Sequence, residues 1–125
     1  MSERLVFCER AYTVLRNGEP LPAIARWMRP EPDQNDWRCE WSLTIGDNAP
    51  VWDYAMGVDS TQALVLALSI ASVKLHMLAE PIFWFEEGDD LGLPTNGQTA
   101  ADLRAERAAR HTYAGSEPRA DPVRR

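Results

Sequence analysis

The feature that most constrains the fold is a long apolar run, DSTQALVLALSIASVKLHML, at residues 59–78. Asp59 is a typical helix N-cap, and Gln62 three residues later completes a variant of the capping box, so the run predicts a helix that begins here. Such a helix must be covered, and we expect a sheet to lie across it. At about 100° per residue its polar side chains form one narrow stripe, expected at the surface. They are Gln62, Ser69, Ser72, His76 and Glu80.

Asn17 and Gly18 predict a two-residue hairpin turn between the β-like runs 4–16 and 19–29. The resulting register brings apolar residues together on one face and a favourable charge pair on the other. It leaves Arg10 on the apolar face, where it would have to extend its charge to an edge. The predicted pairs are Arg16 with Glu19, Val14 with Leu21, Tyr12 with Ala23, Glu9 with Arg26 and Cys8 with Trp27.

Two further strands precede the helix. Residues 37–45 alternate strictly between apolar and polar side chains, which predicts a half-buried strand. Residues 51–58 predict a fourth strand with Trp52, Tyr54 and Met56 on one face. Residues 30–36 are expected to form a polar loop, and residues 82–85 either a fifth strand or an extended segment across the helix end.

Together these elements predict an α+β fold, an antiparallel meander of four to five strands with one long helix packed on one face. We assign residues 1–98 to a single α+β domain and residues 99–125 to a loosely packed helix and a mobile C-terminal tail. Trp37, Trp41 and Trp52 are expected in the core, whereas Trp27 or Trp84 is expected to stay partly exposed.

The charge is unevenly distributed along the chain. Residues 1–98 carry 7 basic and 15 acidic side chains, a net of −8, and residues 99–125 carry 6 and 4, a net of +2. An acidic body repels phosphates, which argues against nucleic-acid binding by the main domain. A basic protein is the partner that we expect instead.

The chain is expected to be soluble and cytoplasmic, without membrane association. Its first residues, MSERLVFCER, lack the apolar run of a signal peptide. Lys74 and His76 interrupt the long apolar run after about a dozen positions, short of the ~20 that a membrane span needs. Cys8 and Cys39 fit a reducing compartment, and we expect each to be a small apolar core residue and not half of a disulfide.

No motif in the chain predicts catalysis or a cofactor. His76 and Glu80 lie one helical turn apart, so a general acid–base pair is one interpretation and a surface histidine is the other. One structured histidine and two separated cysteines do not make a zinc site. We therefore expect neither a metal nor a cofactor.

The candidate site is an acidic run after the predicted helix, with nearby aromatic and acidic residues. Clustered carboxylates can bind calcium, but this run lacks the alternating ligands and closing Glu of an EF-hand loop. The other interpretations are a solvated loop and a docking surface for a basic protein. Asp33 and Asp36 extend that surface if the two loops meet in space. The candidate partner-binding residues are Glu86, Glu87, Asp89, Asp90, Trp84, Asp33 and Asp36.

Three segments in the middle of the chain, WSLTI, WDYAMGVDSTQALVLAL and PIFWF, resemble an uncharacterised bacterial family of small single-domain α+β proteins. The strand-to-helix junction at residues 57–64 also resembles that of immunity proteins from bacterial toxin–immunity systems. This likeness of pattern implies a small, acidic, non-catalytic protein that plugs a basic toxin.

Three functions from different classes are compatible with these patterns. The first is a non-enzymatic, immunity-like protein-binding module that docks a basic protein through the acidic run and neighbouring aromatics. The second is a small ligand-binding domain or enzyme that uses His76 in a pocket between helix and sheet. The third is a homodimer that associates through an exposed sheet face or edge strand.

Overall fold

A computed structural model of the chain describes residues 5–95, 102–103 and 105–110. It confirms the predicted α+β class, with an antiparallel sheet and one long helix, but the sheet has six strands and not four or five. A short helix takes in residues 102–103 and 105–110, and the predicted tail lies outside the described residues. The elements are β1 (Val6–Arg16), β2 (Glu19–Met28), β3 (Glu31–Asp33), β4 (Asp36–Ile45), β5 (Val51–Gly57), α1 (Ser60–His76) and β6 (Ile82–Phe83).

The β1–β2 hairpin has the register that its turn predicts. Arg16 pairs with Glu19, and the pairing continues along both strands as far as Cys8 and Trp27. Asn17 and Gly18 have φ angles of 54° and 79°, the left-handed values of a tight hairpin turn. The local turn signal therefore determines how the two longest strands that are adjacent in the chain, β1 and β2, pair with each other.

Residues 30–36, expected to be a loop, hold the additional strand β3 and a second tight turn. β3 pairs with the start of β4, and Gln34 in the turn has a φ of 59°. Because β5 covers the other edge of β4, β3 must lie on the same edge as β2 and extends it. β6 pairs with Thr13 and Val14 of β1. Across the sheet the strands are β5, β4, β2 with β3, β1 and β6.

The prediction for the inner face of β5 was wrong. The cross-strand pairs place small side chains inward, and Trp52 and Tyr54 lie partly exposed on the outer face. Space is the reason, since the first turn of α1 at Ala63 lies so close to Gly57 that a Cβ there would collide with it. The pairs that set this face are Trp37 with Gly57, Cys39 with Ala55 and Trp41 with Asp53.

α1 begins at the predicted cap. Asp59 Oδ1 accepts a hydrogen bond from the Gln62 backbone N–H at 2.8 Å, and Gln62 Oε1 accepts one from the Val58 N–H at 2.8 Å. These two bonds satisfy donors at the helix start and fix the angle at which the chain enters the helix. None of the described helices is long and apolar enough to cross a bilayer.

Alanines make the closest contact between α1 and the sheet. Ala63, Ala67 and Ala71, which we call the alanine seam, recur every four residues and are fully buried. Trp27 and Trp41 lie on the inner face of the sheet with their rings 6.3 Å apart and 18° from parallel. Trp27 Nε1 donates to the Ala67 carbonyl at 3.3 Å. Small helix residues and large sheet residues thus fill the interface.

The expected surface stripe of α1 is largely buried. Ser69, Ser72 and His76 are closed to solvent, whereas Gln62 is exposed. At about 100° per residue, Ser69 lies roughly 200° around the helix from the alanine seam, so α1 is covered on a second side. The short C-terminal helix adjoins the end of α1, where Arg107 donates to the carbonyls of residues 78 and 79 at 2.6 and 2.7 Å.

Ala67→Leu is expected to lower the free energy of unfolding by about 1–3 kcal/mol, because the seam has no room for a larger side chain against Trp27. Ala109→Leu makes the same change at an exposed position of the short helix and should alter it by less than about 0.5 kcal/mol. Urea denaturation measures both values. Equal values for the two variants would show that the seam is not tightly packed.

Candidate functional site

The acidic loop, which we define as residues 84–92, follows β6 and packs against β1. Leu91 is fully buried in the core, and its carbonyl accepts a hydrogen bond from Tyr12 Oη at 2.8 Å. Burial raises the pKa of Tyr12 to about 12, so this hydroxyl stays protonated and remains a donor at neutral pH. The far end of the loop is thereby attached to the sheet.

Arg10, which the sequence leaves unexplained on the apolar face, holds the same loop. Its Nη1 donates to the Gly92 carbonyl at 2.8 Å and to the Leu91 carbonyl at 3.3 Å. Its guanidinium also lies 3.8 Å from the centre of the Trp84 ring, a cation–π contact. Gly92 has a φ of 73°, and a Cβ there would collide with Trp84 and Arg10. Only glycine therefore fits this position without strain.

Two of the four carboxylates predicted in the loop bind its own backbone. Asp89 accepts hydrogen bonds from the N–H groups of Trp84, Phe85 and Glu86 at 3.1, 2.8 and 3.0 Å. Asp90 accepts one from the Gly92 N–H. Charge-assisted bonds of this kind are the stronger ones, so the acidic loop has a defined shape.

The rest of the loop faces solvent. Glu86 and Glu87 are exposed, and Phe85 is 75% exposed with its ring 4.6 Å from that of Trp84. Trp84 was the aromatic residue predicted for partner contact, and Phe85 was not among the predicted residues. Arg10 was the signal in the sequence, because a cation on an apolar face needs a partner. Trp84 is that partner, so its ring is partly covered by Arg10. Of the two stacked rings, Phe85 is the more exposed.

The structure does not bring Asp33 and Asp36 next to the acidic loop. Both lie at the turn between β3 and β4, where Asp33 is 4.0 Å from Arg38. Arg10, which holds the loop, pairs with Ala25 of β2. Asp33 lies eight residues after Ala25, along the line that β2 and β3 form. At about 3.3 Å per residue this is roughly 25 Å. The role of all seven candidate residues in partner binding stays a prediction.

His76 and Glu80 do not form the acid–base pair that their spacing allows. Both carboxylate oxygens of Glu80 accept from Arg16, at 2.6 and 2.9 Å, and this bond lowers the pKa of Glu80. His76 is buried, with Nδ1 2.8 Å from the Ser72 carbonyl. Within the described ranges, no three His, Cys, Asp or Glu residues are grouped so that they could hold a metal.

The two cysteines differ in their surroundings, and both are free. Cys39 is buried as expected, and burial raises its pKa to about 11. Cys8 is exposed at the start of β1, so the prediction of a core position was wrong for it. The β-bulge between residues 6 and 8, where the register shifts, accompanies this exposure.

A groove lies between the β4–β5 hairpin and the last turns of α1. Its volume is about 270 Å³, and one ion pair, between Asp53 and Lys74, lies in its wall. The hydrogen bond from Lys74 holds the pKa of Asp53 below its usual range. The apolar part of the lining is Trp41, Leu43, Ile45, Ala49, Val51, Trp52, Leu75 and Leu78.

Fold and site together define a small α+β domain with an acidic loop hydrogen-bonded at one edge of its sheet. The chain belongs to the family DUF6968, a domain of unknown function, which matches residues 8–95. The match extends from within β1 past the acidic loop, and so includes α1, the acidic loop and the groove. Searches among curated proteins and among solved structures gave no match.

Arg10→Met should release the acidic loop, because it removes two hydrogen bonds to the loop backbone and the cation on Trp84. We expect amide hydrogen exchange at residues 84–86 to become about tenfold faster or more, since a charge-assisted bond is worth roughly 1.5–3 kcal/mol. Arg29→Met, at an exposed position, is the matched control and should leave these rates unchanged. Unchanged exchange in Arg10→Met would contradict the role given to Arg10.

Proposed function

We propose that this protein is a non-enzymatic binding module whose acidic loop docks a basic protein. Support comes from the loop itself, which presents the exposed carboxylates of Glu86 and Glu87 and an exposed aromatic ring on a hydrogen-bonded backbone. Opposite charge accelerates encounter, and a buried aromatic anchor supplies much of the affinity in such interfaces.

The observation that carries the proposal is the exposed ring of Phe85 beside Glu86 and Glu87, on a turn tied by Asp89. Burial of an exposed phenylalanine ring against a partner removes apolar surface from water, which contributes favourably to the free energy of binding. Because Asp89 already fixes the backbone, little conformational entropy remains to be lost on binding. The loop is therefore preorganised for contact.

A cytoplasmic location is part of the proposal. Two free cysteines support it, because free thiols are typical of a reducing compartment. In the immunity-like form of the proposal the partner is a basic toxin, and the acidic body, with a net charge of −8 over residues 1–98, attracts it over a distance.

Self-association is a second candidate, favoured by the start of β1. Leu5, Val6 and Phe7 are between 40% and 58% exposed. Within the described chain, β6 pairs only with Thr13 and Val14, so the first half of β1 lacks a strand on that edge. Such an edge can pair with a second copy. Light scattering at increasing concentration should then show a dimer that Val6→Lys abolishes; a monomer throughout would rule it out.

Phe85→Ala combined with Glu86→Gln and Glu87→Gln should abolish capture of a partner by the immobilised protein from a lysate of the source organism. The wild-type protein should retain a basic protein at low salt and release it as salt rises, because screening weakens the attraction. Glu19→Gln with Asp47→Asn removes two exposed carboxylates elsewhere and should leave capture unchanged. Equal capture by the triple variant would refute docking through the loop.

A further inference from the structure

The groove beside α1 is a feature that docking through the acidic loop leaves unused. Side chains from β4 and β5 form one wall, and Leu75 and Leu78 form the other. Its volume of about 270 Å³ exceeds the ~150 Å³ of an apolar cavity that holds benzene. The space therefore suits a single ring with a small substituent.

Trp41 is one of the residues that line this groove, and its side chain holds a buried hydrogen-bond donor without a partner in the described part of the chain. Trp41 is only 4% exposed, and its Nε1–H has no acceptor among the residues that the structure describes. Its stacked neighbour Trp27 differs, since that Nε1–H donates to the Ala67 carbonyl. An indole N–H can only donate, so an acceptor atom brought by a ligand would satisfy Trp41.

The charged groups at the groove are already matched. Lys74 Nζ donates to the Asp53 carboxylate, and both residues belong to the lining. A ligand with a net charge would have to break this pair or leave its own charge unmatched beside apolar side chains. The groove therefore selects against charged ligands.

We propose that the groove binds a small neutral ligand with one ring and one carbonyl or hydroxyl oxygen, which accepts from Trp41 Nε1. The Nε1 atom is closed to solvent, so the ligand reaches it as lining side chains move apart. Val51 and the Lys74 side chain, which are 71% and 57% exposed, have room on the solvent side for such a movement.

The test is a titration of the full-length ¹⁵N-labelled protein with acetophenone, isopropylbenzene and benzoate. These compounds have similar shapes. Acetophenone carries a neutral acceptor, isopropylbenzene carries none, and benzoate carries a negative charge. The five tryptophans give five indole N–H resonances, and Trp41→Phe identifies that of Trp41. We expect acetophenone to shift this resonance and to bind at least about tenfold more tightly than the other two compounds.

Blocking variants supply the control. Ala49→Phe and Val51→Phe each place a ring in the groove lining and should abolish the acetophenone shift. Val65→Phe, at an exposed position of α1, should leave it unchanged. A Trp41 resonance that acetophenone does not move, equal affinity for isopropylbenzene, or tighter binding of benzoate would overturn the proposal. Binding that survives both blocking variants would overturn it as well.

Discussion

The packing of the alanine seam against Trp27 and Trp41 is the contact on which the rest of the fold depends. Because the helix residues are small, α1 lies close to the sheet, and the two indole rings supply the volume that leucines would otherwise provide. The same closeness requires glycine at position 57. It also turns the large side chains of β5 to the outer face.

The close approach has a further consequence at the end of α1. Leu75 and Leu78 follow the seam, and these longer side chains replace alanine where the helix reaches the β4–β5 hairpin. Side chains that fit tightly over the middle of the sheet do not fill the space at its margin. The groove is thus a product of the packing that holds the helix in place, and its Trp41 wall belongs to the core.

Sequence reasoning succeeded where the determining interactions are local. The Asn17 and Gly18 turn fixes the β1–β2 register, and Asp59 marks the start of α1, since each acts over a few residues. It failed where the contacting residue is distant in the sequence. The contacts of Arg10 lie about 80 residues away in the chain, and no pattern within β1 identifies them.

Contacts distant in the sequence also explain two other wrong predictions, the polar stripe of α1 and the inner face of β5. Ser72 and His76 look like a surface stripe because polarity usually marks the solvent side, and only the cover on that side makes them internal. In β5 both alternating sets include apolar residues, so size suggested Trp52 for the core, whereas the distance to α1 selects Ala55. The acidic loop was found from its composition, but the division of its carboxylates between backbone and solvent depends on the fold.

The acidic loop and the groove lie at opposite edges of one sheet. The loop packs on β1 beside β6, and the groove adjoins β5, three strand intervals from β1. At about 4.8 Å per interval this separation is roughly 14 Å, beyond the distance at which substitutions usually interact. Among the described elements, α1 has its main contacts with β4 and β5, while Arg10 and Tyr12 of β1 hold the loop. The two surfaces are therefore built on separate contacts.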